Sequence, residues 1–185
     1  SSGVPYVTYY DQSANDLILA TNSGGDWTRE TVDSDGDAGQ FAEVVIDDND
    51  RLHISYATQT GSDTAVIKYA TRGAGESAWT IREVDTLSDL FYGFEGAREI
   101  TSIKVDSASN PWIAYSDEVN LKLAVWDGNA FRVETITTAQ ERGPKLGQLV
   151  SLEVDANDVA HVATFEVTAA GPLNGNVLYF QGTAN

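Results

Sequence analysis

The sequence repeats a short motif four times, and this repetition restricts the possible folds more than any other feature. The motif consists of an aromatic residue or His, a β-branched residue, a small residue and usually Tyr. It occurs as YVTY from Tyr6, HISY from His53, WIAY from Trp112 and HVAT from His161, at spacings of 47, 59 and 49 residues. A recurring distance near 50 residues indicates that one structural unit is used several times.

Further segments of the same kind accompany each motif. A second segment follows it (DLILAT, VIKYAT, NLKLAV, NVLYFQ), a third begins at an aromatic residue (WTRETVD, WTIREVD, FRVETIT), and a fourth precedes the next motif (FAEVVID, ITSIKVD, LVSLEVD). The segments alternate with period 2, are rich in Val, Ile and Thr, and are bounded by Gly, Asn and Asp, which is typical of strands. They predict an all-β protein built from four-stranded antiparallel sheets, like the blades of a β-propeller.

These units resemble a repeat found in bacterial and archaeal β-propeller proteins. The stretches that carry the resemblance are WTRETVDSDGDAGQFAEVVIDDNDRLHISYA, residues 27–57, and GVPYVTYYDQSANDLILA, residues 3–20. The resemblance implies blades similar in shape to those of sialidase-like propellers. It implies no activity, because such repeats usually lack a known one, and the sialidase Asp-box S-x-D-x-G-x-x-W is absent from the sequence.

The number of segments predicts an incomplete set of blades. With strands labelled A (inner) to D (outer), the chain reads BCD-ABCD-ABCD-ABC, about 3.5 repeats. They form one domain, residues 1–185, with blades at approximately 1–33, 40–85, 98–137 and 148–185. The last segment, NVLYFQG, is similar to an engineered protease-cleavage tag, but its register with VIKYATRG favours a native strand.

The two terminal blades lack different strands and each already has B and C, so strand donation cannot merge them into one. The chain therefore forms either a small ring of four blades or about half of a larger ring. A homo-oligomer or a second polypeptide would complete the larger ring, and we expect such an association because four blades curve tightly.

Composition excludes several classes of function. The chain has 28 Asp and Glu against 11 Lys and Arg, a net charge of −17, which argues against binding to nucleic acid or anionic membranes. It has no Cys, which excludes disulfides, thiol catalysis and Cys-ligated metals. No apolar run reaches the length of a membrane span, so no membrane insertion is expected. With neither Met nor a signal peptide in this sequence, we expect a processed or trimmed form of a secreted or cell-surface protein.

Three loop segments are candidates for a binding site. In the first, DSDGDAG, Asp33, Asp35 and Asp37 alternate around a glycine turn. Carboxylates in this pattern can present several oxygen ligands to Ca²⁺. The closing Glu of an EF-hand loop is missing, and the alternative is a plain turn capped by Asp side chains.

The second candidate is the longest insertion, residues 85–99, which contains four large apolar side chains: Leu90, Phe91, Tyr92 and Phe94. Such a patch indicates contact with a ligand, a partner protein or another subunit, or else a loop that folds over the central hole. The third candidate, TAQERGPKLGQ at residues 138–148, contains Arg142 and Lys145. This basic pair could orient an anionic group, and the alternative is a solvated loop.

No catalytic motif is recognisable. The sequence has no Ser/His/Asp arrangement, no HExxH and no phosphate-binding loop. His53 and His161 occupy a repeat position that Tyr6 and Trp112 also fill, which predicts packing of a flat ring rather than chemistry. The aromatic residues that begin the outer strands are predicted to fill space between blades: Trp27, Trp79 and Phe131.

We therefore expect a non-enzymatic binding or assembly module. It would contact a protein or a glycan through loops on one face, chiefly residues 88–97. A glycan would be bound by stacking of aromatic rings on its sugars. No cofactor is expected apart from Ca²⁺. One alternative is a glycan-processing enzyme, which needs two carboxylates about 5–10 Å apart, with Glu43, Glu99 and Glu153 as candidates. Another is a structural extracellular repeat that assembles through open blade edges.

Overall fold

The computed structural model describes residues 3–88, 100–117, 119–138, 145–167 and 175–183. In these ranges the chain forms fourteen strands in four antiparallel sheets and no helix. The prediction of an all-β chain built from sheets of three or four strands is confirmed. In the described ranges, no helix is long and apolar enough to cross a membrane.

The sheets follow one another along the chain. Sheet 1 contains β1 (Tyr6–Asp11), β2 (Asp16–Thr21) and β3 (Thr28–Asp33); sheet 2 contains β4 (Asp37–Ile46), β5 (Leu52–Gln59), β6 (Ala65–Arg72) and β7 (Thr80–Leu87). Sheet 3 contains β8 (Thr101–Val105), β9 (Pro111–Ser116), β10 (Asn120–Trp126) and β11 (Phe131–Thr138); sheet 4 contains β12 (Lys145–Val154), β13 (Ala160–Val167) and β14 (Gly175–Gly182). The segment NVLYFQG is thus part of a paired strand, β14.

The pairing register places the four motifs at the same position in their sheets. We call β1, β5, β9 and β13 the motif strands and β2, β6, β10 and β14 the following strands. The first motif residue lies opposite the following strand in these pairs: Tyr6 and Thr21, His53 and Thr71, Trp112 and Val125, His161 and Gln181. Side chains of different sheets can therefore be compared position by position.

In the described residues the hydrophobic core consists of three layers, one between each pair of consecutive sheets. Each layer combines residues of a following strand with residues of the next motif strand. The equivalent members are Leu17, Leu19 and Ile54 between sheets 1 and 2, Ile67, Tyr69 and Ile113 between sheets 2 and 3, and Leu121, Leu123 and Val162 between sheets 3 and 4. Burial of each large apolar side chain contributes about 1.5–3 kcal/mol, so these layers hold the sheets together.

Sheets 1 and 2 come into close contact at Gly39. This residue has a φ of 112°, and a Cβ at this position would lie 2.7 Å from the Cα of Leu17. Only glycine combines this backbone conformation with the absence of a side chain. Gly39 therefore allows β4 to begin directly against β2.

The turns before the motif strands of sheets 2, 3 and 4 share one construction. Asp47 Oδ1 accepts the backbone N–H groups of Asn49 and Arg51. Asp106 and Asp155 accept the N–H groups two and four positions further on in the same way. The residue three positions after each Asp has a left-handed conformation, which short polar residues tolerate: Asp50 (φ 57°), Ser109 (φ 62°) and Asp158 (φ 56°).

The second oxygen of each turn aspartate holds the ring six residues later. His53 Nε2 lies 3.4 Å from Asp47 Oδ2, Trp112 Nε1 lies 3.3 Å from Asp106 Oδ2, and His161 Nε2 lies 3.2 Å from Asp155 Oδ2. The position therefore holds a ring nitrogen against the turn as well as packing a flat ring. An Asp six residues before the motif is the sequence signal for this contact.

Candidate binding site

A buried lysine in sheet 2 is held by a carboxylate of sheet 1. Lys68 Nζ lies 3.1 Å from Asp33 Oδ2, which also accepts the hydroxyl group of Tyr56 at 2.6 Å. Burial alone would raise the pKa of the Asp33 carboxyl, but the hydrogen bonds from Tyr56, from the backbone of Asp35 and from Lys68 outweigh it and lower that pKa. Asp33 therefore stays ionised and braces two sheets.

The same arrangement recurs one sheet further along. Lys122 Nζ lies 2.8 Å from Asp85 Oδ2, which accepts the Tyr115 hydroxyl group at 2.7 Å. Burial lowers the pKa of Lys122, but the hydrogen bond that Lys122 donates to Asp85 and the charges of Asp85 and Asp117 raise that pKa overall. Both sets of charges are used in contacts between neighbouring sheets.

Two of the three predicted calcium ligands are engaged by different side chains, and the third is exposed. Asp33 binds Lys68, Asp37 Oδ1 accepts the hydroxyl group of Tyr10 at 2.6 Å, and the side chain of Asp35 is 96% exposed. Asp33 Oδ1 accepts the backbone N–H of Asp35 at 3.0 Å, which is the capped turn named as the alternative. Within the described part of the chain, no group of three or more His, Asp or Glu residues is placed to hold a metal ion.

The other two predicted sites fall largely outside the described residues. The predicted binding residues Leu90, Phe91, Tyr92, Phe94 and Arg142 are not described, and neither is the candidate carboxylate Glu99. Lys145 is the first residue of β12. The roles assigned to these residues from the sequence stay predictions.

The two remaining candidate carboxylates lie on either side of one lysine. Lys104 Nζ is 2.9 Å from Glu43 Oε1 and 4.0 Å from Glu153 Oε1. Glu43 Oε2 also accepts the backbone N–H of Ile103 at 2.9 Å, so Glu43 pins β4 to β8. Glu43 thus has a structural role, whereas the side chain of Glu153 is 72% exposed.

A pocket of about 270 Å³, which sequence reasoning missed, lies between sheets 2 and 3. Arg51 and Asn110 come from the two aspartate turns, Arg82 from β7 and Trp126 from the end of β10, with Tyr69 among the other lining residues. Arg82 lies opposite Tyr69 in the sheet 2 register. The sequence gives no signal for Trp126, because only the packing of two sheets brings it there.

The pocket includes an uncharged, hydrogen-bonded pair. His53 is 1% exposed, and its Nδ1 lies 2.7 Å from the Tyr69 hydroxyl group. Burial lowers the pKa of His53 despite the opposing effect of Asp47. Burial also raises the pKa of Tyr69 to about 12. Neutral His53 accepts a hydrogen bond from the Tyr69 hydroxyl group at Nδ1 and donates one from Nε2 to Asp47. Neither His53 nor Tyr69 therefore carries a charge at neutral pH.

Two guanidinium groups supply the charge of the pocket. The Arg82 guanidinium lies 4.8 Å from the centre of the Trp126 ring, a cation–π geometry. Arg51 Nη2 lies 3.3 Å from Glu76 Oε1 in an exposed ion pair. Among the residues that the structure describes, arginine ion pairs are formed by Arg51, Arg72 and Arg132 but not by Arg82. The arrangement suits an anionic group beside an aromatic ring.

The burial of His53 makes the stability of the fold dependent on pH. The unfolded chain binds a proton near pH 6.5, whereas folded His53, whose pKa is lower, resists protonation. The contribution of neutral His53 to the free energy of unfolding is complete above the pKa that His53 has in the unfolded chain. It is lost as the pH falls toward the lower pKa that His53 has in the folded protein. Urea unfolding between about pH 7.5 and 5 should therefore show a loss of free energy that is smaller in His53→Gln. Equal losses in both proteins would contradict this assignment.

Comparisons with known proteins find similarity in structure but not in sequence. No protein-family model and no curated protein matches the chain. The crystal structure of the intramolecular trans-sialidase from Ruminococcus gnavus, in complex with oseltamivir carboxylate, is similar with a TM-score of 0.61 and 15% identity, over 98% of this chain and 40% of that one. A protein of unknown function from Dyadobacter fermentans is similar with a TM-score of 0.62 and 14% identity, over 96% of this chain and 49% of that one.

The chain spans less than half the length of both solved structures. At these identities the likeness concerns the fold alone. The all-β architecture of the chain is thus similar to that of these two structures, which agrees with the fold that the resemblance of its repeats implies.

Proposed function

We propose that the chain is a non-enzymatic binding module that recognises an anionic glycan in the pocket between sheets 2 and 3. The observation that carries this proposal is a pocket lined by Arg51 and Arg82, with the Arg82 guanidinium against the Trp126 ring. Guanidinium groups bind carboxylate and sulfate through paired hydrogen bonds. An aromatic ring next to them offers an apolar surface for a sugar. Few cationic side chains exist in this acidic chain, so two on one pocket favour a negatively charged ligand.

The proposed site differs from the one that the sequence favours. The pocket is formed at the end of sheet 2 where β4 turns into β5, near the start of β7. Residues 88–97 follow the opposite end of β7. The contact predicted for Phe91 and Tyr92 is thus a separate proposal, as is Ca²⁺ binding at Asp33, Asp35 and Asp37. A glycan ligand fits the secreted or cell-surface location expected from the sequence.

We assign the four sheets to blades of a β-propeller that is larger than this chain. The order of three-, four-, four- and three-stranded sheets supports this assignment. So does the likeness to a sialidase-like structure, of which the chain covers 40%.

The proposal is tested by measuring binding to sulfated, uronic-acid-containing, sialylated and neutral glycans. We expect binding to anionic members only, weakened at least about tenfold by Arg82→Ala, equivalent to about 1.4 kcal/mol. The matched control is Arg132→Ala, since Arg132 is an exposed arginine on β11 outside the pocket. Binding that prefers neutral glycans, or that is unchanged in Arg82→Ala, would overturn the proposal.

A glycosidase is the alternative that one observation favours, namely the two carboxylates around Lys104. Glycosidases use a protonated and an ionised carboxyl group on opposite sides of the substrate bond. Glu43 instead accepts hydrogen bonds from the ammonium group of Lys104 and the backbone N–H of Ile103, so it serves as a contact between strands. The same protein preparation should release no chromophore from aryl glycosides. Release that Glu153→Gln abolishes would replace the binding module with an enzyme.

A further inference from the structure

The following strand of sheet 4 exposes positions that are buried in the other sheets. Leu17, Ile67 and Leu121 occupy one register position and are each 0% exposed, whereas Val177 at the same position is 75% exposed. Two residues along, Tyr179 is 58% exposed, although its counterparts in the other sheets are 0–4% exposed: Leu19, Tyr69 and Leu123. These side chains point to where a fifth sheet would lie.

Sheet 1 exposes the complementary positions. Ile54, Ile113 and Val162 of the motif strands are 0–2% exposed because each packs on the preceding sheet, whereas Val7 at the same position is 46% exposed. The aromatic residue that begins the outer strand behaves in the same way. Trp79 and Phe131 pack against core layers as predicted.

For Trp27, the prediction that it fills space between blades is wrong for the single chain. Its side chain is 51% exposed. The physical reason is that no sheet precedes sheet 1 in the described structure, so Trp27 has nothing to pack against.

The two exposed faces are the two halves of one more core layer. Within the chain, a following-strand face has packed on a motif-strand face three times, and each time the equivalent positions became buried. Sheet 4 ends with an unused following-strand face, and sheet 1 begins with an unused motif-strand face. The three internal layers show that faces of these two kinds fit each other.

We propose that a second copy of the chain covers these faces, with sheet 4 of each copy packed on sheet 1 of the other. This inference rests on the propeller arrangement proposed above. A head-to-tail contact of this kind repeats until a ring closes. Propellers typically contain about 4–8 sheets, so four-sheet chains can close a ring of four or of eight. In the described residues the faces at both ends are exposed, which favours a ring of eight sheets from two copies over a ring of four from one chain.

The mass in solution tests the contact directly. Light scattering on a sizing column at tens of micromolar should give twice the chain mass of 19.9 kDa. Val7→Asp and Val177→Asp each place a charge on one exposed face and should each give the mass of a single chain. Val133→Asp, at a 41% exposed position of β11, is the control and should leave the doubled mass unchanged.

A mixing experiment shows which faces meet. Val7→Asp retains an intact sheet 4 face, and Val177→Asp retains an intact sheet 1 face. An equimolar mixture of these two variants should therefore form a one-to-one dimer, although neither variant dimerises alone. Dimerisation of either variant by itself would mean that like faces pair, which would overturn the head-to-tail contact.

Other results would also decide the matter. A wild-type mass of 19.9 kDa at every concentration would overturn the proposal. Circular dichroism matching that of the wild type confirms that the variants fold. If the protein has the mass of a single chain and still binds glycan through Arg82, only the association of two copies is overturned and the proposed function stands. A doubled mass without glycan binding would instead remove only the proposed ligand.

Discussion

Replacement of Asp33 by alanine is expected to lower the free energy of unfolding by about 3–5 kcal/mol, because it leaves a buried charge without its partner. Lys68 is 6% exposed, and its ammonium group lies 3.1 Å from Asp33. The variant also removes the acceptor of the buried Tyr56 hydroxyl group. Urea denaturation at neutral pH measures the change.

The neighbouring Asp35 provides the matched control. Its side chain is 96% exposed and lies 3.9 Å from the same lysine. Asp35→Ala should change the free energy of unfolding by less than about 0.5 kcal/mol. The double variant Asp33→Ala, Lys68→Met should be more stable than Asp33→Ala alone, since no unpaired charge remains buried. Equal effects of Asp33→Ala and Asp35→Ala would show that the brace between the sheets contributes nothing.

Truncation of equivalent positions in two following strands should have very different effects. Ile67→Ala removes buried methyl groups from the layer between sheets 2 and 3, and should cost about 2–5 kcal/mol of unfolding free energy. Val177→Ala, at the same register position in sheet 4, should cost less than about 0.5 kcal/mol. Both are measured by urea unfolding at a dilution where the protein has the mass of a single chain.

This comparison separates two arrangements of the sheets. A cost for Val177→Ala as large as that for Ile67→Ala, measured on the single chain, would show that sheet 4 is covered within one molecule. The four sheets would then close a ring by themselves. A small cost at high dilution that grows with protein concentration would agree with a second copy, because association stabilises the folded state by mass action.

The strands could be predicted from the sequence because the features that specify a strand lie close together in the chain. Alternation, β-branched residues and Asp or Gly punctuation act within a few residues of each other, and the four motifs share one register. Contacts between sheets could not be predicted in this way. Asp33 and Lys68 are 35 positions apart, and nothing in the alternation of either strand identifies the other as its partner.

The candidate site shows the same limit. Arg82 and Trp126 belong to different sheets, and their contact depends on how those sheets pack. The role of the position held by His53 could be predicted in part, because His53 and the equivalent Trp112 both indicate a flat ring. The hydrogen bond from the ring to an Asp six residues earlier could have been found by comparing the aspartates that precede three of the motifs.

The aspartate turns also explain part of the composition. Of the 28 acidic residues in the sequence, seven that lie in the described ranges accept a backbone N–H two to four positions further along: Asp11, Asp33, Asp47, Asp106, Asp117, Asp127 and Asp155. Asparagine can accept the same bond, so the bond itself does not require a charge. About a quarter of the acidic residues therefore serve tight reversals of the chain. In a protein of this design, a low isoelectric point partly reflects the number of turns and is a poor guide to the charge of the ligand.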